Sequence, residues 1–442
     1  MQEMLIKNGM VVNPAGKSGA LDLRIRDGKI IQMRERMTSG SDGTLEAGDA
    51  AAPAEDGMRA TVIDASGCIV APGLVDVHVH FRDPGQTHKE DIETGARAAA
   101  KGGYTSVVLM ANTVPTVDTE ETLRYVLDKG SRTGIHIYSC ANVTKRMQGK
   151  ELTDFDALCS AGAVGFTDDG KPIPDEALVL SAMQKAKELD VPLSFHEEDP
   201  AFVETAGYNK GKASEHYGIG GADREAEIVM IRRDTALALK TGAEIDIQHI
   251  STAEGVALVR EARRKGTNIH AEATPHHFTL TEDAAIEHGV MAKMNPPLRT
   301  EADRQAIIEG LKDGTIEMIA TDHAPHTAEE KAKGLTSAPS GIIGLETALA
   351  LGNEVLVGGG ALTDTELIDR MSTGPARIWH LDEAGILKEG GAADLVIYDP
   401  KETWIAGAYA SKSSNTPFTG RTMTGKVKYT VCGGSVVYSD KE

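Results

Sequence analysis

Two histidines are separated by a single residue in Asp76-Val77-His78-Val79-His80. The β-branched valines of this short run predict a β-strand. Side chains alternate between the two faces of a strand, so His78 and His80 point the same way. With 14 histidines in 442 residues, roughly 0.4 such pairs arise by chance, and the pair alone is a weak motif. Its position at the carboxyl end of a predicted strand makes it half of a candidate metal site.

Further side chains that ligate metals occur at the ends of other predicted strands. They are Asp168, Asp169, His196, His249 and Asp322. Each one alone is most often a cap or a turn former. Together they predict one cluster, because the carboxyl ends of barrel strands meet at one face. Nitrogen and oxygen donors without thiolates favour zinc, with manganese or cobalt as substitutes, and the number of donors favours two ions.

A cluster of this kind is typical of hydrolysis. Bound cations make water a nucleophile near neutral pH and polarise the carbonyl under attack. Asp322 is the predicted proton carrier between the attacking water and the leaving nitrogen. A phosphate loop is not supported, because Gly16-Lys17-Ser18 would need a glycine where Val11 stands. The predicted reaction is the cleavage of an amide-like bond.

The elements that must position these residues alternate between β-branched runs and helical patterns from residue 71 to 382. Helical patterns at 222–240 and 252–265 separate two pairs of the strands. Eight βα units favour an α/β fold with a closed (β/α)₈ TIM-like barrel over an open doubly wound sheet. The predicted strands are Val75–His80, Thr105–Met110, Ile135–Cys140, Ala163–Thr167, Val191–His196, Glu244–Ile250, Asn268–Ala273 and Glu317–Asp322.

The two chain ends predict a second, smaller unit. Residues 1–70 and 383–442 contain short alternating runs separated by turn signals, and neither end alone offers enough strands for an independent sheet. We therefore expect both ends to pair in one composite β domain of the sandwich type. Residues 37–57 are rich in small and acidic residues without periodicity, which predicts a flexible surface insertion.

The composition argues against several classes of partner. The 46 basic and 66 acidic residues give a net charge of −20, which repels nucleic acids and anionic lipid surfaces. No apolar stretch approaches membrane-spanning length, and the amino terminus lacks a secretory layout. Four cysteines without paired spacing favour a reducing cytoplasm. We expect a small-molecule substrate and a homo-oligomer.

Several longer motifs make the chain similar to the amidohydrolase superfamily, and within it to the dihydroorotases of the longer bacterial type. The resemblance extends over nearly the whole chain. The motifs that carry it are Met110-Ala111-Asn112-Thr113, Gly165-Phe166-Thr167-Asp168-Asp169-Gly170, Thr274-Pro275-His276-His277, Lys293-Met294-Asn295-Pro296-Pro297-Leu298-Arg299 and Ala320-Thr321-Asp322-His323-Ala324-Pro325-His326.

The resemblance implies a pair of zinc ions and a set of ligands for them: His78, His80, Asp169, His196, His249 and Asp322. Related hydantoinases and allantoinases bridge their two metals with a carboxylated lysine. The segment Ala163-Val164-Gly165-Phe166 offers no lysine, so an aspartate must be the bridge. The family spacing favours Asp169, and a shift by one residue would choose Asp168 instead.

Dihydroorotases interconvert N-carbamoyl-L-aspartate and L-dihydroorotate in de novo pyrimidine biosynthesis, so the resemblance also implies a site for a free carboxylate. Arg82, Asn112 and His326 hold this carboxylate in the family, and Asn295 contacts the pyrimidine ring. The full set of implied substrate contacts is His80, Arg82, Asn112, Asn295, His326, Ser340 and Gly341.

Simpler roles compete with these assignments. Arg82 could pair with its neighbour Asp83, and Asn112 and His326 could cap loops. The chain also departs from the family pattern at two positions, with Ala111 where proline is usual and Ser340 where an aromatic residue is common. The second departure weakens any stacking on the substrate.

Two alternative functions remain open at this stage. One is another cyclic amidohydrolase, a hydantoinase or allantoinase, with the same metal ligands and a different substrate; Arg82 argues against it, because a hydantoin has no carboxylate. The other is a catalytically silent scaffold subunit of aspartate transcarbamoylase. The intact ligand set argues against a silent subunit, although a transcarbamoylase partner is compatible with an active enzyme.

Overall fold

The computed structural model describes residues 3–36 and 61–441, so the insertion predicted at 37–57 lies outside the described residues. Strands and helices alternate through the middle of the chain, which confirms the α/β class. No helix in the described ranges is long and apolar enough to cross a membrane. The strands in chain order are β1 Glu3–Lys7, β2 Met10–Val11, β3 Gly19–Arg26, β4 Lys29–Glu35, β5 Thr61–Asp64, β6 Ile69–Pro72, β7 Leu74–Val79, β8 Tyr104–Leu109, β9 His136–Ser139, β10 Leu193–Phe195, β11 Ile245–Ile247, β12 Ile269–Ala273, β13 Met318–Ile319, β14 Leu395–Ile405, β15 Thr422–Cys432 and β16 Ser435–Ser439.

The helices begin mostly at residues that can cap them. Thr252 precedes α7, for example, and its hydroxyl accepts a hydrogen bond from the backbone N–H of Gly255 at 3.1 Å. The helices are α1 Ile92–Lys101, α2 Glu120–Gly130, α3 Phe155–Ala161, α4 Glu176–Leu189, α5 Lys212–Tyr217, α6 Glu225–Thr241, α7 Ala253–Arg264, α8 Pro275–Thr279, α9 Glu282–His288, α10 Glu301–Asp313, α11 Ala328–Lys331, α12 Ala348–Leu351, α13 Asp364–Ile368 and α14 Gly374–Ile378.

Strands from the two chain ends share one mixed sheet of nine strands. Its order is β16-β15-β14-β6-β2-β3-β1-β5, with β4 paired to β3. The carboxyl-terminal part joins the amino-terminal part where β14 runs antiparallel to β6, with Leu395 opposite Pro72. Apolar residues such as Ile6, Leu23 and Ile397 form a buried cluster against this sheet. A two-layer sandwich and an independent domain remain predictions.

The middle of the chain contains two parallel sheets, β7-β8-β9 and β10-β11-β12-β13. Single bridges connect their edges. Phe166 pairs with Ala141, just after β9, and with Leu193 of β10; His323, after β13, pairs with Val79 of β7. Through these single bridges, β9 is linked to β10, and the segment after β13 is linked back to β7.

The predicted fourth strand, Ala163–Thr167, forms no regular strand element: Phe166 makes isolated bridges to Ala141 and Leu193. Backbone hydrogen bonds from Val164 to Ser139 and from Thr167 to Ala141 nevertheless place this segment beside the end of β9. Several other predicted strands also run too far. His80, Cys140 and His196 each lie one residue beyond the strand that precedes them. His249 (φ 32°) and Asp322 (φ 46°) adopt left-handed backbone conformations that end regular pairing. Apart from His78, which lies within β7, the candidate ligands thus lie where extended segments turn into loops.

Phe166 contributes to the hydrophobic core of the middle region although it belongs to no regular strand. The side chain is fully buried and stacks on Phe155 of α3 with ring centroids 3.8 Å apart. The contact ties α3 to the segment that leads directly into Asp168 and Asp169. Burial of two aromatic rings supplies stability where the backbone ladder is short.

We expect Phe166→Ala to lower the free energy of unfolding by about 3–5 kcal/mol, because the truncation leaves a cavity in a packed core. Urea denaturation followed by circular dichroism measures this change. Phe202→Ala is the matched control, since the Phe202 side chain is 39% exposed, and it should change stability by less than about 0.5 kcal/mol. Equal unfolding midpoints for the two variants would contradict a core role for Phe166.

Candidate functional site

A cleft of about 580 Å³ opens where the parallel strands end. Its walls bring together almost all of the predicted site residues: His80, Arg82, Asn112, Asp169, His196, His249, Asn295, Asp322, His326, Ser340 and Gly341. The remaining predicted ligand, His78, is fully buried beside them. A larger cavity of about 870 Å³ lies between Lys101, Trp404 and Tyr438, and none of the predicted site residues lines it.

The first histidine pair is held by buried partners on neighbouring elements. His78, within β7, donates from Nδ1 to the Glu272 carboxylate on β12 at 2.9 Å. His80 donates from Nδ1 to the Asn112 side-chain oxygen at 3.0 Å, and its Nε2 lies 2.9 Å from Asp322. These acceptors assign the proton of each ring to Nδ1, which leaves Nε2 facing the cleft as a ligand atom.

The second histidine pair comes from the ends of β10 and β11. His196 Nδ1 and His249 Nε2 lie 3.0 Å apart. The turn after His249 is fixed by the buried Glu227 carboxylate, which accepts hydrogen bonds from the backbone N–H groups of Ser251 and Thr252 at 3.1 and 2.9 Å. The turn delivers the imidazole of His249 to the cleft while α7 begins immediately behind it.

Asp169 lies between the two histidine pairs. Its Oδ1 is 3.6 Å from both His78 Nε2 and His196 Nδ1 and 4.0 Å from His249 Nε2. Its Oδ2 accepts a hydrogen bond from the Asn112 amide at 2.8 Å. A carboxylate with one oxygen facing three imidazoles is suited to bridging two cations.

Asp168 faces away from this cluster. Its carboxylate accepts hydrogen bonds from the backbone N–H of Thr144 at 3.1 and 3.2 Å, and from the Thr144 hydroxyl. Burial raises the pKa of Asp168 to about 6, although those hydrogen bonds oppose the rise. The geometry therefore separates the two neighbouring aspartates into one that meets the histidines and one that anchors a loop.

Burial and neighbouring charges shift the pKa values of the cluster in opposite directions. Burial lowers the pKa of His78, but the Glu272 carboxylate outweighs it and raises the value to about 10. The pKa of His196 is raised to about 9, because Asp169 and Glu198 outweigh burial. Burial and two neighbouring imidazoles hold the pKa of His249 well below its usual range. The imidazoles and Asp169 thus form one coupled electrostatic unit.

The donor set fits a metal ion. Two groups of side chains, His78/His80/Asp322 and His78/Asp169/His249, place their ligand atoms within 4.8 Å of one another. His78 Nε2 and His249 Nδ1 are buried and find no hydrogen-bond partner in the described part of the chain. Buried polar atoms without partners are costly unless a ligand satisfies them, and the His78 atom faces both carboxylates that complete its two groups.

A second wall of the cleft carries Arg82 and His326. Arg82 Nη2 lies 3.4 Å from His326 Nε2, and that nitrogen is 2.8 Å from the Ser340 carbonyl oxygen. Asp83, the alternative partner of Arg82, instead binds Lys129 and the Tyr125 hydroxyl. Arg82 Nε donates to the Pro325 carbonyl at 3.3 Å. The guanidinium has no carboxylate partner in the described part of the chain, so its charge is left for an anionic group that enters the cleft.

Sequence reasoning missed several residues that hold the site. Glu272 orients His78, and the signal for it was a carboxylate within the predicted strand Asn268–Ala273. Asn415, far along the chain, accepts from the His326 backbone N–H at 3.1 Å and donates to the carbonyls of Ala324 and Gly341 at 3.0 Å. No local pattern in the sequence marks Asn415.

Comparison with solved structures identifies the fold. The L-hydantoinase of Arthrobacter aurescens superposes with a TM-score of 0.85 at 24% identity, covering 100% of this chain and 97% of that chain. The dihydropyrimidinase of Brevibacillus agri NCHU1002 gives a TM-score of 0.81 at 23% identity, covering 100% and 96%. At these identities the likeness shows a shared α/β fold.

Sequence comparison identifies the family. The family model "Dihydro-orotase-like" matches residues 67–255. The dihydroorotase of Clostridioides difficile is 52% identical over 99% of this chain and 100% of its own length. Those of Clostridium acetobutylicum and Streptococcus pneumoniae are 51% and 48% identical, covering 99% and 98% of this chain and 100% and 99% of their own. The resemblance carried by the motifs is thereby confirmed: the chain belongs to the dihydroorotase family.

Proposed function

We propose that this protein is a dihydroorotase, which interconverts N-carbamoyl-L-aspartate and L-dihydroorotate in de novo pyrimidine biosynthesis. One observation carries the proposal: a histidine and aspartate cluster and an arginine-bearing wall face each other across one cleft. The reaction needs both, a place to activate water and a place to hold the substrate carboxylate. The full-length identity to dihydroorotases supports the same substrate.

We further propose that two zinc ions occupy the cluster, with Asp169 as the bridge. The residues that would hold them are His78, His80, Asp169, His196, His249 and Asp322. When bound, such cations supply Lewis acidity, which makes water a nucleophile at neutral pH and polarises the carbonyl under attack. Nitrogen and oxygen donors without a thiolate suit zinc.

The chain's own residues move protons and orient the substrate. Asp322 takes the proton of the attacking water and returns it to the ring nitrogen as the amide C–N bond breaks. Arg82, with Asn112 and His326, holds the free carboxylate through charge-assisted hydrogen bonds. Asn295 has a buried side-chain oxygen without a partner among the described residues, and this oxygen is available to a ring N–H.

The architectural predictions belong to the same proposal. Residues 71–382 form a closed (β/α)₈ barrel, which the bridges of Phe166 and His323 support, and residues 1–70 and 383–442 form the composite domain. The cytoplasm is the proposed location, supported by four cysteines without disulfides. A homo-oligomer and an association with aspartate transcarbamoylase are further proposals.

The test of the proposed activity is a comparison of ring-opening rates. Metal-replete protein is incubated in parallel with L-dihydroorotate, hydantoin and allantoin. We expect turnover of L-dihydroorotate at a rate at least about 100-fold above the other two, because only this substrate gives Arg82 a carboxylate partner. Preferred hydantoin or allantoin turnover would make the protein a different cyclic amidohydrolase, and no turnover of any substrate would favour the scaffold role.

Arg82→Met should raise KM for L-dihydroorotate about 10- to 100-fold, the scale of one lost charge-assisted hydrogen bond. Metal content, measured by elemental analysis, should stay unchanged. Arg97→Met, on the exposed face of α1, is the matched control and should leave KM unaltered. An unchanged KM in Arg82→Met would refute carboxylate recognition by this residue.

Asp169→Ala should weaken metal binding by more than about 100-fold, because the bridge contributes to both ions. Asp168→Ala is the matched control, one residue away and equally buried. The control should keep its metal and lose only the anchoring of Thr144. Dialysis followed by elemental analysis measures both, and metal loss in the Asp168 variant alone would reverse the assignment.

A further inference from the structure

Two lysines are almost completely buried beside the cleft. Lys293 is 2% exposed and Lys331 is 1% exposed. Neither forms an ion pair with a carboxylate in the described part of the chain, whereas nearby Lys89 lies 3.0 Å from Glu330. A buried ammonium group without a counter-ion is expensive unless hydrogen bonds compensate it.

Carbonyl oxygens of one short segment supply that compensation. Lys293 Nζ donates to the carbonyls of Leu335, Thr336 and Ala338 at 2.8, 3.1 and 2.7 Å. All three ammonium hydrogens of Lys293 therefore have an acceptor within residues 335–338.

Lys331 completes the same arrangement on the adjoining residues. Its Nζ donates to the carbonyls of Pro339 and Gly341 at 3.0 Å each. Burial lowers the pKa of Lys331 to about 7, and a neutral amine still has the two N–H groups that these two carbonyls need. Five carbonyls of residues 335–341 thus converge on two side chains.

This segment reaches the substrate cleft at its carboxyl end. Ser340 and Gly341 line the cleft, and the Ser340 carbonyl oxygen lies 2.8 Å from His326 Nε2. The Gly341 N–H donates to the backbone carbonyl of Lys293 at 2.8 Å. Lys293 therefore contacts the segment through both its side chain and its backbone.

The loop around Gly207 packs against the same arrangement. A Cβ atom added to Gly207 would lie 2.4 Å from Lys293 Cγ and 2.7 Å from Ser340 Oγ. Gly207 is therefore in close contact with both the Lys293 side chain and the segment that it holds.

We propose that Lys293 and Lys331 are positioning residues for substrate binding: by holding the carbonyls of residues 335–341, they fix the Ser340–Gly341 backbone and the orientation of His326 against the substrate carboxylate. The inference rests on the proposed function for the identity of the substrate. The lysines do not touch substrate or metal ligands, so their loss weakens substrate binding while the metal cluster stays intact.

The experiment compares Lys293→Met and Lys331→Met in the full-length, metal-replete enzyme. Methionine keeps the length and apolar stem of lysine and removes its donors. We expect KM for L-dihydroorotate to rise about tenfold while kcat changes by less than about threefold, and metal content to stay constant. Lys333→Met is the matched control, since Lys333 is exposed and lies two residues before the segment 335–341, and it should behave as wild type.

Hydrogen exchange followed by mass spectrometry provides a readout that does not depend on activity. Both Met variants should exchange faster within residues 335–341, while the peptides that contain the metal ligands keep their protection. Unchanged KM and unchanged exchange would overturn the proposal, as would a parallel loss of kcat, metal and thermal stability, which marks a merely structural role.

Two additional cases are covered by the same experiment: a Met variant that does not fold, and a wild-type enzyme without activity on L-dihydroorotate. If a Met variant does not fold, Lys293→Gln and Lys331→Gln retain part of the donor capacity and should show the same KM increase in weaker form; wild-type KM in folded Gln variants with unaltered exchange would refute the proposal. If the wild-type enzyme does not turn over L-dihydroorotate, the proposed function fails, and the exchange measurement still decides whether the lysines hold the segment.

Discussion

The mutual compensation of buried imidazoles and carboxylates is the constraint on which the site depends. Asp169 is 5% exposed and meets three histidines through one oxygen. A buried carboxylate or a buried imidazolium alone would carry a heavy desolvation cost. Placed together, the opposite charges hold the pKa of Asp169 well below its usual range. The same imidazole nitrogens and carboxylate oxygens suit a metal cation. Such a cation would take the place of the imidazole protons as the positive charge that balances the carboxylates.

This constraint explains why the candidate ligands other than His78, which lies within β7, lie beyond the ends of strands. Regular strands would keep their polar backbone groups paired and direct side chains only up or down. At His249 and Asp322 the chain adopts left-handed conformations, and each side chain turns inward at the mouth. At the His249 turn, the buried carboxylates of Glu272 and Glu227 accept hydrogen bonds from the backbone N–H groups of His249 and Ser251, and Glu272 also accepts from the His78 ring. The polar network is therefore at least two layers deep.

The charge of the cleft differs from that of the whole chain. The net charge is −20, a field that disfavours an anionic substrate at long range. One wall of the cleft nevertheless carries Arg82, and burial together with Arg82, Lys89 and Lys331 lowers the pKa of His326. Attraction of a carboxylate is therefore local, produced by a few desolvated cations.

The amino-acid sequence alone predicted which candidate ligands would lie together. Residues at the ends of predicted strands, such as His196 and Asp322, were expected at one face because the carboxyl ends of barrel strands meet there, and the family resemblance supplied the proposed ligand set. The alternating apolar and polar runs at both chain ends also predicted that the two ends pair in one β-sheet, as the structure shows. The fourth strand was predicted as a regular element, whereas Phe166 makes isolated bridges to its two neighbours; a short β-branched run does not indicate how far regular pairing extends.

The fold showed that Asp169 faces the histidines while Asp168 binds Thr144, and it revealed Glu272, Asn415 and the two buried lysines. Family spacing favoured Asp169 and left Asp168 open, because a one-residue choice depends on which side of a turn faces the histidines. The contacts of Asn415 with His326 and of Lys293 with Ala338 span 89 and 45 residues. Such pairings follow from packing of distant segments, and local sequence preferences do not encode them.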